Sequence, residues 1–155
     1  MKKNQLTRAL RCDKMTFAVL EATLRLFLDE KKLIHAHPVL HMLTESPDDV
    51  KKRCQSLKRK LKETLKETCE ITIQQDFSEV GSGSLTAEPI PTWVLSFHTP
   101  KFSAEELTAA LRHCNPAVFG RIKEEQVILD CRTIRRDEFG FIVSAFQSVF
   151  LKDNK

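Results

Sequence analysis

The sequence has 155 residues, 41% of them hydrophobic and 30% charged, with a net charge of +4 and a pI near 8.8. That length suits one domain burying roughly two-thirds of its unfolded surface, and the composition is ordinary for a soluble globular protein. No apolar run approaches the roughly 20 residues of a membrane span, and the basic start Met1-Lys2-Lys3-Asn4-Gln5 leads into no apolar signal region. The expected location is therefore cytoplasmic, without a membrane or DNA partner. The small positive excess permits an anionic partner but does not demand one.

The first expected element is a helix over Lys14 to Leu28 with Asp13 as its N-cap. Between Met15 and Leu28 only Thr16, Glu21, Thr23 and Arg25 are polar, so apolar side chains cover almost the whole circumference. Such a helix is either a central core element or the surface against which a missing neighbour packs. A basic turn at Lys31 and Lys32 and a short helical piece over Pro38 to Leu43 come next. Ser46-Pro47-Asp48-Asp49 then opens a long helix, with a capping serine, a proline at the first helical position and two acids at the positive dipole end. Its stripe Val50, Cys54, Leu57, Leu61, Leu65 keeps one face apolar to about Thr68.

Cys69 to Phe77 alternates like a strand, Ser78 to Pro91 is a loop with two of the four glycines, and Thr92 to Thr99 is a second strand. Ser103-Ala104-Glu105-Glu106 is a capping box for a helix to about His113. Ala117 to Ile122 and Val127 to Arg132 are two strands around a tight turn. A helix over Asp137 to Phe150 closes the chain, with Phe139, Ile142, Val143, Phe146 and Phe150 inward. The order predicts an α/β fold of the α+β type: a four-stranded, mainly antiparallel sheet with helices on one face.

Candidate chemistry is sparse. The five cysteines (Cys12, Cys54, Cys69, Cys114, Cys131) form no CxxC pair, and Cys54, Cys69 and Cys131 fall on apolar positions, so reduced, buried thiols are expected. His35, His37 and His41 have a spacing open to a metal, but Pro38 interrupts it, and exposed turn histidines are the simpler reading. The long helix carries Lys51, Lys52, Arg53, Lys58, Arg59, Lys60, Lys62 and Lys66, a face that either contacts RNA phosphates or is merely solvated. For RNA contact the candidates are Lys51, Lys52, Lys58, Arg59 and Lys62. Gly81-Ser82-Gly83-Ser84 could form an anion nest but lacks the P-loop lysine. Arg8 and Arg11, three residues apart, could share an anion through their guanidinium forks. No acid pair and no Ser/His/Asp or Cys/His set emerges, so the residues alone nominate no catalytic centre.

Several blocks, in order, resemble bacterial selenocysteine synthase, L-seryl-tRNA(Sec) selenium transferase. The run from Lys3 through Arg8-Ala9-Leu10-Arg11-Cys12-Asp13-Lys14 to Thr16 resembles "KNPLxRALRVDKLT", and Leu20 to Leu28 resembles "LEATLRLYL". Val80-Gly81-Ser82-Gly83-Ser84-Leu85 is similar to "VGGGSLP", Pro91-Thr92-Trp93 to "PSW", Pro116 to Ile122 to "PPVIGRI", and Leu129-Asp130-Cys131-Arg132-Thr133 to "LDLRT". Departures include Cys12 for valine, Ser82 for glycine, Thr86 for proline and Ala117 for proline.

The resemblance implies a fold-type-I pyridoxal 5'-phosphate enzyme that converts seryl-tRNA(Sec) to selenocysteinyl-tRNA(Sec) with selenophosphate. It further implies that the cofactor lysine lies upstream of the "RALR" segment, outside this chain. Residues 1–35 would be an N-terminal segment with a domain-linking helix, and 36–155 the C-terminal small domain. By the same resemblance Arg8 and Arg11 hold the selenium donor, and Gly83, Ser84 and Arg121 face the active-site cleft. The partners are then tRNA(Sec) and selenophosphate through the parent enzyme, and its large domain or further copies. This portion alone is expected to bind no pyridoxal phosphate stably and to complete no catalytic cycle; the alternatives are a stand-alone tRNA-binding or interaction module without catalysis, or a non-functional remnant.

Overall fold

A computed structural model describes residues 11–66, 68–80 and 89–152, with 151 and 152 described by their backbone alone. The chain divides into two compact units, Met1–Thr44 and Glu45–Lys155.

The first unit contains α1 (Lys14–Leu26), α2 (Glu30–Ala36) and α3 (Pro38–Thr44). Asp13 caps α1 as expected, accepting the Thr16 N–H at 2.7 Å. None of the α1 residues is buried, and Phe17, Leu20, Leu24 and Leu28 are exposed along one stripe. Within the first unit taken by itself, α1 is therefore not an enclosed core element. The expected basic turn at Lys31 and Lys32 is instead helical, because Asp29 accepts the Lys32 N–H at 3.2 Å and starts α2.

In the second unit α4 (Pro47–Leu65), β1 (Glu70–Ser78), β2 (Ile90–His98), α5 (Ala104–Arg112), β3 (Arg121–Lys123), β4 (Gln126–Asp130) and α6 (Phe139–Lys152) follow in order. Two short 3₁₀ turns, Cys131–Thr133 and Arg136–Glu138, join β4 to α6. The four strands form one antiparallel sheet in the order β1-β2-β4-β3. The α+β architecture is the expected one.

Register assigns the two faces. Ile73 pairs with Leu95 and Leu95 with Leu129, while Ile71 pairs with Phe97 and Phe97 with Val127. Cross-strand partners share a face, so these residues meet the helices. The α4 stripe Val50, Cys54, Leu57, Leu61, Leu65 is wholly buried against them, joined by Leu107 and Leu111 of α5 and by Phe139, Ile142, Phe146 and Phe150 of α6. Phe97 and Phe146 stack at 4.5 Å between ring centroids. Val143 is half-buried at the margin.

The capping signals form as the sequence implies. Ser46 accepts the Asp49 N–H at 3.2 Å, and Ser103 and Glu106 exchange both bonds of a capping box. Three boundaries move. α4 stops at Leu65 rather than near Thr68, because Lys66 adopts a left-handed φ of 51°. The strand expected from Ala117 begins only at Arg121, since the Val118 N–H is committed to the Leu111 carbonyl at the end of α5, 3.0 Å away. Val127 to Arg132 is likewise shorter as a strand, its last residues turning into the 3₁₀ segment.

The β3–β4 hairpin turns through Glu124 (φ 51°) and Glu125 (φ 59°), with Lys123 paired to Gln126. Two left-handed residues define the tight hairpin turn that Asn-Gly fills most comfortably. Each left-handed residue other than glycine costs roughly 1–2 kcal/mol, so Glu124→Asn with Glu125→Gly should stabilise the second unit by about 1–2 kcal/mol in urea unfolding. A loss of stability would show that the glutamates hold contacts worth more than the backbone strain.

Candidate functional site: the polar corner of the open sheet face

Among the described residues of the second unit, no helix packs on the other face of the sheet. The residues of that face are Thr72, Gln74, Asp76 and Ser78 on β1, Thr92, Val94 and Ser96 on β2, Gln126, Ile128 and Asp130 on β4, and Arg121 and Lys123 on β3. Val94 and Ile128 are nonetheless buried, under long polar side chains reaching across from the edge strand. Lys123 Nζ meets Asp76 at 2.8 Å, and Arg121 Nη2 lies 3.3 Å from Asp76 and 3.7 Å from Asp130. Arg121 Nη1 also donates to the Phe77 carbonyl at 3.3 Å.

Asp130 is the hub. The Ser78 hydroxyl, at the end of β1, donates to it at 2.5 Å, and the Thr92 hydroxyl, near the start of β2, at 2.8 Å. Its carboxylate also accepts the Arg132 N–H at 3.0 Å. Arg132 is itself buried, at 3% exposure, and donates to the carbonyls of Pro91 (2.7 Å) and Glu45 (2.9 Å). The two residues therefore tie together both stems of the 79–89 segment and the residue leading into α4. Beside them Arg53 pairs with Glu45 and donates to the carbonyls of Cys131 and Ile134 at 3.1 and 3.0 Å. Gly120 lets β3 approach: a Cβ there would stand 2.9 Å from Val127 Cγ1 and 3.2 Å from the Ile128 carbonyl oxygen.

Of the residues singled out in the sequence, Arg121 lies in this corner. Gly83 and Ser84, with the rest of the glycine-rich segment, and Arg8 lie outside the described residues. Arg11 is exposed, just before α1. Asp76, Asp130 and Arg132 were not nominated by motif spacing. The signal lay in the Leu129-Asp130-Cys131-Arg132-Thr133 block, where only the fold shows what an acid and a base two residues apart hold together.

The basic face of α4 divides. Lys51 lies over the Trp93 ring at 4.1 Å, Lys52 pairs with Asp49 at 2.9 Å, and Lys60 lies 5.8 Å from the Phe139 centroid. Lys58, Arg59 and Lys62 line an open groove with Gln55, Glu63 and Ile73.

Among the described residues no group of three or more His, Cys, Asp or Glu could hold a metal. His35 and His41 lie on α2 and α3 rather than in a turn, and His37 between them is half-buried, accepting the Leu40 N–H. The five cysteines are free. Burial pushes the Cys69 thiol up to about 11, and the Cys54 hydrogen bond, then burial, raises Cys131 further. Such thiols are packing groups, not nucleophiles. The described residues do not by themselves fit pyridoxal phosphate. Lys123 is held by Asp76 on an open sheet face, and Lys58 and Lys62 line an open groove.

Two expectations test the corner. Asp130→Ala strands the buried Thr92 hydroxyl and unties both stems, which should cost about 3 kcal/mol in urea unfolding. A cost below about 1 kcal/mol would show that the network is not structural. Asp76 gives a pH signature. Burial raises its carboxyl, but the Lys123 hydrogen bond, the Phe77 backbone and the Lys123 and Arg121 charges outweigh burial and hold it below its ordinary value. A depressed folded value stabilises the fold above the unfolded value of about 4, and that contribution is lost as pH falls through the folded value. Asp76→Asn should therefore flatten the fall in stability below about pH 4. An unchanged acid limb would assign the loss to other carboxylates.

The sequence relatives agree in direction with the blocks gathered here. The chain is 46% identical over 149 residues to L-seryl-tRNA(Sec) selenium transferase of Alkaliphilus metalliredigens, covering 96% of this chain and 32% of that protein. The protein of the same name from Clostridium botulinum is 44% identical over 149 residues, with the same coverage. That of Carboxydothermus hydrogenoformans is 45% identical over 141 residues, 91% of this chain and 30% of its own. The chain thus spans about a third of the length of the curated relatives it matches. The family described as SelA, L-seryl-tRNA selenium transferase, matches residues 1–135, and with that match the chain belongs to this family.

Proposed function

We propose that this chain is the C-terminal small domain of a pyridoxal phosphate-dependent enzyme that converts seryl-tRNA(Sec) to selenocysteinyl-tRNA(Sec) with selenophosphate. The observation that carries the reading is the convergence of blocks far apart in sequence. The stems of the 79–89 segment, Pro91-Thr92, Gly120-Arg121 and Asp130 to Arg132 meet in one corner of the sheet. In this reading the corner positions the glycine-rich segment and Arg121 at the edge of a cleft whose other wall belongs to the cofactor domain. The apolar stripe of α1, with Phe17, Leu20, Leu24 and Leu28 lining a groove of about 580 Å³, is the surface that domain or a further copy covers.

The cofactor, held by a lysine elsewhere in the enzyme, supplies the carbanion chemistry. This chain's residues bind and orient. Arg8 and Arg11 hold the anionic selenium donor through planar forks, and Gly83, Ser84 and Arg121 face the cleft. Asp76 and Asp130 fix the Arg121 guanidinium from behind. No helix among the described residues is long and apolar enough to cross a membrane.

The test is a chimera in which this chain replaces the C-terminal third of the Alkaliphilus metalliredigens relative. It should form selenocysteinyl-tRNA, whereas the chain alone, given pyridoxal phosphate, should yield no lysine adduct trapped by borohydride. Each guanidinium–oxyanion contact is worth about 1.5–3 kcal/mol. Arg8→Ala or Arg11→Ala in the chimera should then raise the donor KM about 10- to 100-fold, with lysine rescuing only partly. Normal donor use by both variants, or loss of cofactor instead, would make these arginines structural. An inactive but folded and cofactor-loaded chimera would count against the reading as a whole.

A further inference from the structure

The sequence of α4 presents seven cations, and the fold separates them by what each already touches. Arg53 is internal, bound to Glu45 and two backbone carbonyls. Lys52 has Asp49, Lys51 the Trp93 ring and Lys60 the Phe139 ring. Lys58, Arg59 and Lys62 have no ion-pair partner among the described residues, although Glu63 stands beside them. Spaced by one residue and then three, they fall on one side of α4 and line an open groove of about 520 Å³ against Ile73 of the edge strand β1.

We infer that this α4–β1 groove binds the phosphate backbone of a structured RNA, with Lys58, Arg59 and Lys62 as the contacts. The inference rests on the proposed reading that the chain serves a tRNA-utilising enzyme, and it names a surface for that RNA away from the polar corner. Three observations choose phosphate over an acidic protein segment. The groove is shallow, and Ile73 is its one aliphatic lining residue, half-buried already. It offers no aromatic or methionine anchor of the kind that dominates protein interfaces. Its cations repeat along a rigid helix, which suits regularly spaced anions carrying no apolar group to bury. With no aromatic side chain in the groove, base stacking is absent. Binding follows shape and charge rather than sequence.

The experiment measures binding of the purified chain to two unrelated tRNA transcripts from 50 to 200 mM salt. Three phosphate contacts give an affinity loss of about 20- to 40-fold across that range, equal for both transcripts. Lys58→Gln, Arg59→Gln and Lys62→Gln should each weaken binding and lower the salt slope by about 1. Glutamine keeps the helix propensity of these surface positions, and an unchanged melting curve confirms the fold. Lys51→Gln with Lys52→Gln is the control and should leave binding within about twofold.

The groove assignment is overturned if neither transcript binds at 50 mM salt, if the triple variant binds as well as the parent, or if the control pair costs as much. Displacement of bound RNA by a polyglutamate peptide that binds more tightly would assign the groove to an acidic protein segment and overturn it equally. A chimera that transfers selenium normally with Lys58, Arg59 and Lys62 all changed to glutamine would leave the enzymatic reading standing while this surface falls.

Discussion

The second unit hangs on the hydrogen-bond partners that its buried charges require. Arg132 and Asp130 are two residues apart at the end of β4, one buried and the other closely enclosed. A guanidinium or carboxylate taken out of water is tolerated only when hydrogen bonds replace the solvent. Here the replacements come from the end of β1, the start of β2 and the residue before α4. Satisfying the two charges therefore forces three separate stretches of chain together. The stems of the glycine-rich segment follow that geometry, as does the orientation of Arg121, which leans on the same carboxylate.

That constraint also explains why the sheet tolerates a face that no described helix of the second unit covers. An antiparallel sheet can bury one side and wet the other. In this protein Val94 and Ile128 on the wet side are still shielded, because Arg121 and Lys123 extend from β3 towards Asp76 on the far edge strand. The charged side chains thus roof apolar positions with their stems while keeping their heads paired. A face built this way is polar and internally paired, whereas the helix-covered face holds the apolar core.

Much of this was legible in the sequence. The period of the α4 stripe, the Ser46 and Ser103 caps and the alternation of Ile71 and Ile73 are local signals, and each formed as read. What failed locally failed for identifiable reasons. Lys66 ends α4 without the glycine that usually marks such a stop, and Ala117 to Gly120 follows the end of α5 rather than pairing in the sheet. Asp29 started a helix where two lysines had looked like a turn.

The site divides along the same line. Periodicity and capping by themselves determined the α+β class, the buried stripe and the burial of Cys54, Cys69 and Cys131, since each depends on neighbours within a turn or a strand. Which charges matter was decided only by the tertiary structure. Lys51 and Lys58 read alike along the helix, yet one faces Trp93 and the other an open groove. Asp130 and Arg132 looked like two polar residues at a strand end until residues more than thirty positions away closed around them. The physical reason is that a charge acquires its role from what replaces its water, and those partners come from elsewhere in the chain.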